Sequence, residues 1–521
     1  MENKKDANSG MADLHAFATG PLPAVERRDR AIDYRTQTAM SHQRPPLPHH
    51  VCNGDEMNYA NKIGSFSKTL PHNAFGEVDL DAYYSFLRAL TTGQREDYEA
   101  IPMGGTRKLA NPQAAYCYDL VGADCHQMLM PTPPAFSSAW NAAEMAEDYW
   151  RALTRDVSFA EYDQHPLIQA AVCDLNRFSD YRGPRAGKDV TSDVLFRGET
   201  PGDQTGPFIS QFLWKDIPYG SAVIPQRYAA PVADQAFMTT QEEWLHILNG
   251  GAPAKQTTFG GEPRYIHNGR DLAEFVHHDF TYQSCLSACL MLLQYGQKAL
   301  DPANPYLSSH TQGGFVSFGA AHILDFVARS ARAALEAAWF QKFLVHRRLR
   351  PEAFAGRVHQ HVTGRRTYPI HDDLLASEAL KEVYNRYGSY FLPMAYPEGS
   401  PTHPAYPAGH ACIAGAGVTM LKVFFHEDME IEAPVMASAD GSSLEPYTAT
   451  ELTIGGELNK LASNIALGRD TAGVHWRTDG VEGLKLGESV AIHILQDYKE
   501  SYPEAFSGFT FTSFDGTKLT L

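Results

Sequence analysis

The chain has 521 residues, 43% of them hydrophobic, so it is long enough to bury a large core. Its 44 lysines and arginines are outnumbered by 61 aspartates and glutamates, and the net charge of -17 argues against a nucleic-acid binder or an anionic-membrane binder. No run of about eighteen apolar residues occurs, so we expect no membrane-spanning segment.

The N-terminal part of the chain is polar. Residues 1–75 contain the proline-bearing stretch RPPLPHH, which predicts an extended N-terminal arm. Residues 1–20 lack the apolar centre of a signal peptide, which favours a cytoplasmic protein.

The rest of the chain divides by the strength of its helical pattern. Over residues 76–265, short helical patterns alternate with loops, which predicts an N-terminal helical and loop part. Residues 266–521 predict a C-terminal helical bundle, and we expect both parts to share one globular body. No fixed-period repeat occurs, which excludes solenoids and propellers.

The clearest periodicity lies in the C-terminal part. Over residues 271–293 the apolar side chains recur at helical intervals, with Asp279 on the same stripe. Further helices are predicted for residues 320–346, after His410, and twice between residues 457 and 499. Residues 429–452 predict a loop or a short hairpin. The fold class is therefore mainly α, with helical bundles (two of four-helix type) at the core, long loops and minor β-hairpins.

The seven cysteines include no CxxC pair, which argues against a zinc site. Cys285 and Cys289 lie four residues apart in an apolar stretch and are expected to be buried free thiols. Cys117 and Cys125 could form a disulfide, although free thiols are favoured.

Two unusual cations come at the end of the predicted 320–346 helix. Trp339, Lys342 and His346 are three and four residues apart and share a helix face, close to Arg350. Pro351 is expected to end the helix, which would leave Arg350 in the last turn. A lysine and an arginine at such a position usually serve the helix dipole in solvent.

Further polar groups follow in two later stretches. The stretch HPAYPAGHACIAGAG covers residues 403–417, and its prolines prevent a helix before Gly409. Taken alone, the pair Gly409 and His410 could be an ordinary turn. Arg469, His475 and Asp479 are spaced six and four residues apart. Taken alone, His475 is best explained as a satisfied core histidine.

Taken together, these groups indicate a buried anion site. Lys342, Arg350 and Arg469 follow apolar helical segments, so we expect their charged ends in a cleft between helices. Buried cations cost several kcal/mol each unless anions match them, and Asp279 would neutralise only one. The surplus charge favours a tetrahedral or trigonal-bipyramidal oxyanion, with the Gly409 N–H as a further donor and His410 as a proton carrier.

This constellation resembles the vanadium-dependent haloperoxidases, which share their site with the type 2 acid phosphatases. The superfamily has a lysine followed by Arg-Pro, then P-S-G-H, then R-x5-H-x3-D. The matching stretches here are Lys342 with RP at 350–351, PAGH at 407–410 and RDTAGVHWRTD at 469–479. The match spans about residues 270–497. Flanks similar to red-algal and bacterial bromoperoxidases extend it to near residue 195.

The resemblance implies a role for each matched residue. His475 would coordinate vanadium directly, and the vanadate oxygens would be held by Lys342, Arg350, Arg469 and the Gly409 backbone. His410 would hydrogen-bond the apical water or hydroxide and shuttle protons.

Further roles follow from the same resemblance for residues around the pocket. Asp279 would be an outer carboxylate that orients an arginine, and Asp479 would also lie outside the direct vanadate contacts. His403 resembles a histidine of the bromoperoxidases, and Trp339 would shape halide access.

One position departs from the pattern, because Ala408 stands where the family has serine. The cofactor-binding position 408 therefore lacks a hydroxyl donor, and we expect weaker vanadate binding or slower turnover, with iodide and bromide favoured over chloride.

The resemblance implies a bromide peroxidase with vanadate as cofactor. Its partners would be hydrogen peroxide, a halide and a small organic nucleophile, and we expect a homo-oligomer in which the N-terminal arm could clasp a neighbour. Red-algal relatives carry a structural calcium ion, whose ligands do not map onto particular residues here.

Two alternatives stay open at this point. A phosphohydrolase would use His475 as nucleophile and His410 as acid in the same pocket. A non-catalytic helical assembly protein would have lost its site through the change at Ala408.

Overall fold

The computed structural model describes residues 22–521. Residues 49–521 form one compact unit, and the described residues 22–48 belong to another. The sequence expectations about residues 1–20, including the signal-peptide argument for location, lie outside the described residues and stay predictions.

Helices dominate the described residues, as the sequence predicted. In chain order they are α1 Ala24–Gln43, α2 Asp55–Asn58, α3 Leu80–Thr92, α4 Arg95–Glu99, α5 Ala139–Leu153, α6 Pro166–Leu175, α7 Gln241–Leu248, α8 Gly269–His278, α9 Gln283–Gln294, α10 Ala320–Phe340, α11 Pro351–Val362, α12 Asp372–Leu375, α13 Glu378–Tyr387, α14 Gly409–Lys422, α15 Ile454–Thr471 and α16 Arg477–Lys499. Short 3-10 turns lie at Pro112–Tyr116, Cys125–Gln127, Phe159–Glu161, Gln211–Leu213 and Gly296–Ala299. A π-helical turn, Gln341–His346, follows α10 directly.

The described strands form three small antiparallel hairpins. They pair β1 Ile217–Tyr219 with β2 Ala222–Ile224, β3 Val435–Ala437 with β4 Leu444–Pro446, and β5 Thr510–Thr512 with β6 Lys518–Thr520. The hairpin β3–β4 lies in the stretch for which a loop or short hairpin was predicted. The mainly α prediction with minor hairpins is confirmed.

Two groups of helices build the core of residues 49–521. In the first, α10, α14, α15 and α16 pack together, joined by α8 and α9; in the second, α5 contacts α6, α11, α12 and α13. The second group buries residues from 136–248 together with residues from 349–396 in one apolar cluster. The predicted boundary at residue 265 therefore does not separate two packing units, because this cluster contains residues from both sides of it.

The prediction of an extended arm over residues 1–75 is wrong in two places. Helix α1 spans Ala24–Gln43, where the sequence contains neither proline nor glycine. Residues 62–70 are buried, because Ile63, Phe66 and Leu70 enter the core. The prolines of RPPLPHH set the conformation only of the stretch that contains them.

Two helix boundaries also differ from the predictions. The helical stripe of residues 271–293 is interrupted, because α8 ends at His278 and Asp279 is its extended C-cap. Pro351 begins α11 rather than ending the previous helix, so Arg350 is an N-cap residue. Proline suits the first helical position because the N–H it lacks would have no partner there.

All seven cysteines are free, so the structure contains no Cys117–Cys125 disulfide. Cys285 and Cys289 are buried as expected, and burial raises the pKa of each thiol to about 12. Among residues 22–521, no helix is both long and apolar enough to span a membrane.

Glycines let the backbones of α14 and α16 touch. A Cβ atom on Gly487 would lie 2.1 Å from the Cys412 carbonyl oxygen, and one on Gly415 would lie 2.2 Å from the Leu484 oxygen. Neither backbone oxygen can move without separating the helices. This close approach holds the N-terminal ends of α14 and α16 beside each other.

We expect Gly487→Ala to destabilise the protein by about 3 kcal/mol, because the added methyl group overpacks a rigid backbone contact. Gly480→Ala on the same helix is the matched control. Its Cβ would lie 3.4 Å from the nearest heavy atom, on Ala466, so the gain in helix propensity should dominate. Thermal unfolding followed by circular dichroism checks the difference, and equal shifts in Tm for the two variants would contradict it.

Candidate active site

His475 lies between α15 and α16 with its ring held from both sides. Its Nδ1 is 2.9 Å from Asp479 Oδ2, and its Nε2 is 2.9 Å from Arg350 Nη1. Because a guanidinium can only donate, Nε2 must carry the lone pair and Nδ1 the proton. Burial and the neighbouring Arg350 and Lys342 hold the pKa of His475 well below its usual value, which keeps the ring neutral.

Arg350 is positioned by backbone oxygens rather than by a carboxylate. Its Nη1 donates to the Val474 oxygen at 2.6 Å, and its Nε and Nη2 both donate to the His403 oxygen. The side chain is 1% exposed, and burial lowers its pKa to about 9. Its place before Pro351, at the start of α11, aims the guanidinium at His475.

Lys342 and Arg469 are buried in the same way. Lys342, which is fully buried in the π turn, donates through Nζ to the Pro404 and Ala405 oxygens at 2.8 Å each. Arg469 in α15 donates through Nη1 to the Val276 oxygen at 2.6 Å, while its buried Nε makes no hydrogen bond.

The three cations Lys342, Arg350 and Arg469 leave a surplus of buried positive charge. Within the described residues, none of the three has a carboxylate oxygen within 4.0 Å. Burial, together with the charge of Arg350, holds the pKa of Lys342 well below its usual value. An isolated buried charge is costly, so an anion at this place would stabilise all three side chains.

His410 lies in the first turn of α14 and contacts Asp279. Its Nε2 is 3.0 Å from Asp279 Oδ1, and 30% of its side chain is exposed. The implied role of Asp279 as the partner of an arginine is therefore wrong: the carboxylate hydrogen-bonds a histidine. Burial and the charge of Arg469 lower the pKa of His410, which favours the neutral ring.

Trp339 and His403 border the cation cluster. Their rings lie 4.8 Å apart, and His403 Nδ1 is 3.0 Å from Arg350 Nη2. Burial and the charges of Lys342 and Arg350 hold the pKa of His403 well below its usual value. His346, expected on the face of Trp339 and Lys342, instead packs its ring against Tyr406.

The start of α14 presents backbone N–H groups close to this cluster. Gly409 is the first helical residue, and the first N–H groups of a helix have no partner within it. Ala408 is the N-cap and is buried, and its methyl group offers no hydrogen bond. The close packing of Gly409 is against α10, since an added Cβ would lie 3.3 Å from Leu335 and 3.4 Å from Trp339.

Two charged residues that the sequence does not single out, Arg348 and Glu144, support the site. Arg348 Nη1 donates to Asp479 Oδ1 at 2.9 Å, and its Nη2 donates to Glu144 Oε2 on α5 at 2.8 Å. The stretch VHRRLRPEA contained Arg348, but the sequence does not distinguish it from Arg347, which pairs with Glu56.

The structure brings the predicted residues to one place and fits the predicted anion. Lys342, Arg350, Arg469 and His403 all act electrostatically on His475, whose Nε2 lone pair faces the cations. The unpartnered Nε of Arg469 is a further donor without an acceptor. The fold and the site together define a helical protein in which buried cations and a histidine form a site suited to an oxyanion.

Comparisons with known proteins agree with this class. A model of the VCPO second helical-bundle domain matches residues 324–503. The vanadium-dependent bromoperoxidase of Ascophyllum nodosum is 34% identical over 97% of this chain and 94% of its own length. That of Corallina pilulifera is 34% identical over 96% of this chain and 100% of its own length.

A solved structure shows the same fold. The homohexameric second vanadate-dependent bromoperoxidase of Ascophyllum nodosum superposes with a TM-score of 0.91 at 32% identity, covering 95% of this chain and 90% of its own. The chain belongs to the vanadium-dependent bromoperoxidase family.

We expect Asp479→Asn to raise the Kd for vanadate by about 10–100-fold, because the amide no longer fixes the proton of His475 on Nδ1. Asp325→Asn, at an exposed carboxylate of α10, is the matched control. Equilibrium dialysis measures the affinity.

Nitrogen NMR of labelled histidine checks the cause. In the unaltered protein the His475 ring should stay neutral at the ordinary histidine pKa of about 6.5, since burial and cations hold its own pKa well below that value. An unchanged Kd in Asp479→Asn, or a protonated ring under these conditions, would contradict the assignment.

Proposed function

We propose that this protein is a vanadate-dependent haloperoxidase. It uses hydrogen peroxide to oxidise bromide or iodide to a hypohalous species, which halogenates small organic nucleophiles. The observation that carries the proposal is the neutral imidazole of His475 among three buried cations, none of which has a carboxylate oxygen of residues 22–521 within 4.0 Å. The family of the chain supports vanadate as the anion.

The proposed cofactor site uses groups already described. His475 Nε2 is the coordinating atom, and an oxyanion bound there would take over the lone pair that now accepts from Arg350. Lys342, Arg350, Arg469 and the Gly409 N–H would hold its oxygens. Bound vanadate acts as a Lewis acid that activates peroxide without changing its own oxidation state.

The reaction consumes one proton, and His410 is the residue proposed to transfer it. Bromide, hydrogen peroxide and a proton give hypobromous acid and water: bromide loses two electrons, and the O–O bond accepts them. With Nε2–H donated to Asp279, the His410 Nδ1 lone pair is the group that takes up and returns a proton. Its partial exposure connects this proton to solvent.

Lys342 is the cation proposed to polarise the peroxide. Its ammonium group has three donors, of which two go to the Pro404 and Ala405 oxygens. The third is available for an oxygen of the substrate. We propose that Trp339 and His403 shape the approach of the halide, since their rings are tilted against each other and His403 contacts Arg350.

The other sequence-based alternatives receive less support. A phosphohydrolase could use the same pocket, but the curated relatives that span the chain are bromoperoxidases. We also infer a homo-oligomer, which is supported by the homohexameric relative. A structural calcium ion and the cytoplasmic location stay predictions.

Bromination of monochlorodimedone tests the proposal directly. Protein stripped of vanadate should be inactive and regain activity on addition of vanadate. His410→Ala should lower kcat by about 100-fold, because a general acid–base is lost. His310→Ala, at an exposed histidine outside the site, is the control.

Two outcomes would overturn the haloperoxidase proposal. Vanadate-independent release of phosphate from p-nitrophenyl phosphate, without bromination, would select the phosphohydrolase. Absence of binding to both vanadate and phosphate in calorimetry would select the non-catalytic assembly protein.

We expect Ala408→Ser to tighten vanadate binding by about 10–100-fold, since a hydrogen bond to a charged group contributes about 1.5–3 kcal/mol. The serine would also cap α14, so the Tm of the vanadate-free protein should rise. Ala408→Cys adds a weak donor at the same position and separates hydrogen bonding from added volume. Equal vanadate Kd values for the unaltered protein, Ala408→Ser and Ala408→Cys would refute the expectation.

A further inference from the structure

A second cluster of ligand-forming side chains lies outside the oxyanion site, on the last turn of α8. Glu274, His277 and His278 are three and four residues apart, so they lie on one helix face. Glu274 Oε1 is 3.1 Å from His278 Nε2, and Glu274 Oε2 is 3.7 Å from His277 Nδ1. One ligand atom from each residue lies within 4.8 Å of the other two.

Two potential ligand atoms of this cluster make no hydrogen bond with the described residues. Glu274 Oε1 and His277 Nδ1 are both buried, and neither makes a hydrogen bond with any of the described residues. Glu274 is only 7% exposed, so the carboxylate has little water to compensate. A buried carboxylate oxygen whose one polar contact, His278 Nε2 at 3.1 Å, lacks hydrogen-bond geometry is poorly satisfied, and a cation at this point would lower the cost of burying it.

A second carboxylate, that of Glu398, fixes the orientation of His277. Its Nε2 is 2.6 Å from Glu398 Oε1, and its ring stacks on Tyr396 with the ring centroids 3.7 Å apart. In the neutral ring the Nε2–H donates to Glu398, which leaves the lone pair on Nδ1, the nitrogen that faces Glu274. A histidine held by an outer carboxylate in this way is the usual arrangement of a metal ligand.

We propose that Glu274, His277 Nδ1 and His278 Nε2 bind a divalent metal ion of the zinc type, with water completing the coordination. Adjacent ligands of a tetrahedral Zn²⁺ lie about 3.3 Å apart, given metal–ligand bonds of about 2.0–2.1 Å. The separations of 3.1 and 3.7 Å, one from each carboxylate oxygen of Glu274, are close to that spacing. His278 is 68% exposed and can adjust its ring to close the site.

The chemistry of the donors separates this site from the oxyanion site. Two imidazoles favour zinc, copper or nickel over calcium and magnesium, which prefer oxygen ligands. The carboxylate and the lone pairs attract a cation, whereas Lys342, Arg350 and Arg469 attract an anion. The ion would brace the end of α8, whose next residue, Asp279, contacts His410.

Chelator-treated full-length protein, without an affinity tag, provides the test. Equilibrium dialysis with Zn²⁺ should give one ion per chain, and Co²⁺ should give the intense visible bands of a tetrahedral site. His278→Ala should raise the Zn²⁺ Kd by at least about tenfold, and Glu274→Gln should do the same. His310→Ala, which removes an exposed histidine outside the cluster, should leave the Kd unchanged.

His278→Ala keeps the test valid if Glu274→Gln fails to fold, because His278 is largely exposed. The Zn²⁺ Kd should be the same with and without vanadate, and Zn²⁺ should raise the Tm of the unaltered protein but not of His278→Ala. No binding of Zn²⁺, equal Kd values in the cluster variants and the control, or loss of Zn²⁺ binding on addition of vanadate would overturn the proposal.

Discussion

The buried carboxylate of Asp479 is the contact on which the rest of the site depends. Its oxygens accept from His475 Nδ1, from the Trp476 backbone N–H and from Arg348, and its main-chain oxygen accepts from the Ala408 N–H. Through Arg348 and Glu144 the same carboxylate is connected to the second group of helices. One fully buried negative charge thus joins the starts of α14 and α16 to the segment between the π turn and α11. The geometry of the oxyanion site follows from that junction.

Much of this arrangement was predictable, because a charged residue that follows an apolar helical segment has few ways to reach water. That argument predicted the burial of Lys342, Arg350 and Arg469, which are 0%, 1% and 4% exposed. The turn before Gly409 was equally predictable, since the prolines prevent a helix until that residue. Helix α14 does begin there. The mainly α fold followed from the periodicity of the C-terminal half.

Contacts between distant parts of the chain were not predictable from the same patterns. Glu144 precedes Arg348 by 204 residues, and nothing local to either residue reveals the pair. We expected Asp279 to contact an arginine, but its carboxylate contacts His410. The reason is that α8 ends one residue earlier, at His278, and the extended backbone of Asp279 redirects the side chain. Pro351 was interpreted as a helix stop, although proline is as well suited to begin a helix. Each error came from local rules that permit two structures.

The π turn of residues 341–346 has a consequence for anyone who would transplant this site into a designed scaffold. The turn holds Lys342 and ends at Arg347, whose φ of 40° reverses the local direction of the chain before Arg350. Deleting one residue to restore ideal α-helical geometry would rotate everything that follows by about 100° about the helix axis. Lysine and arginine would then face different sides. The irregular backbone is part of what must be copied, along with the side chains.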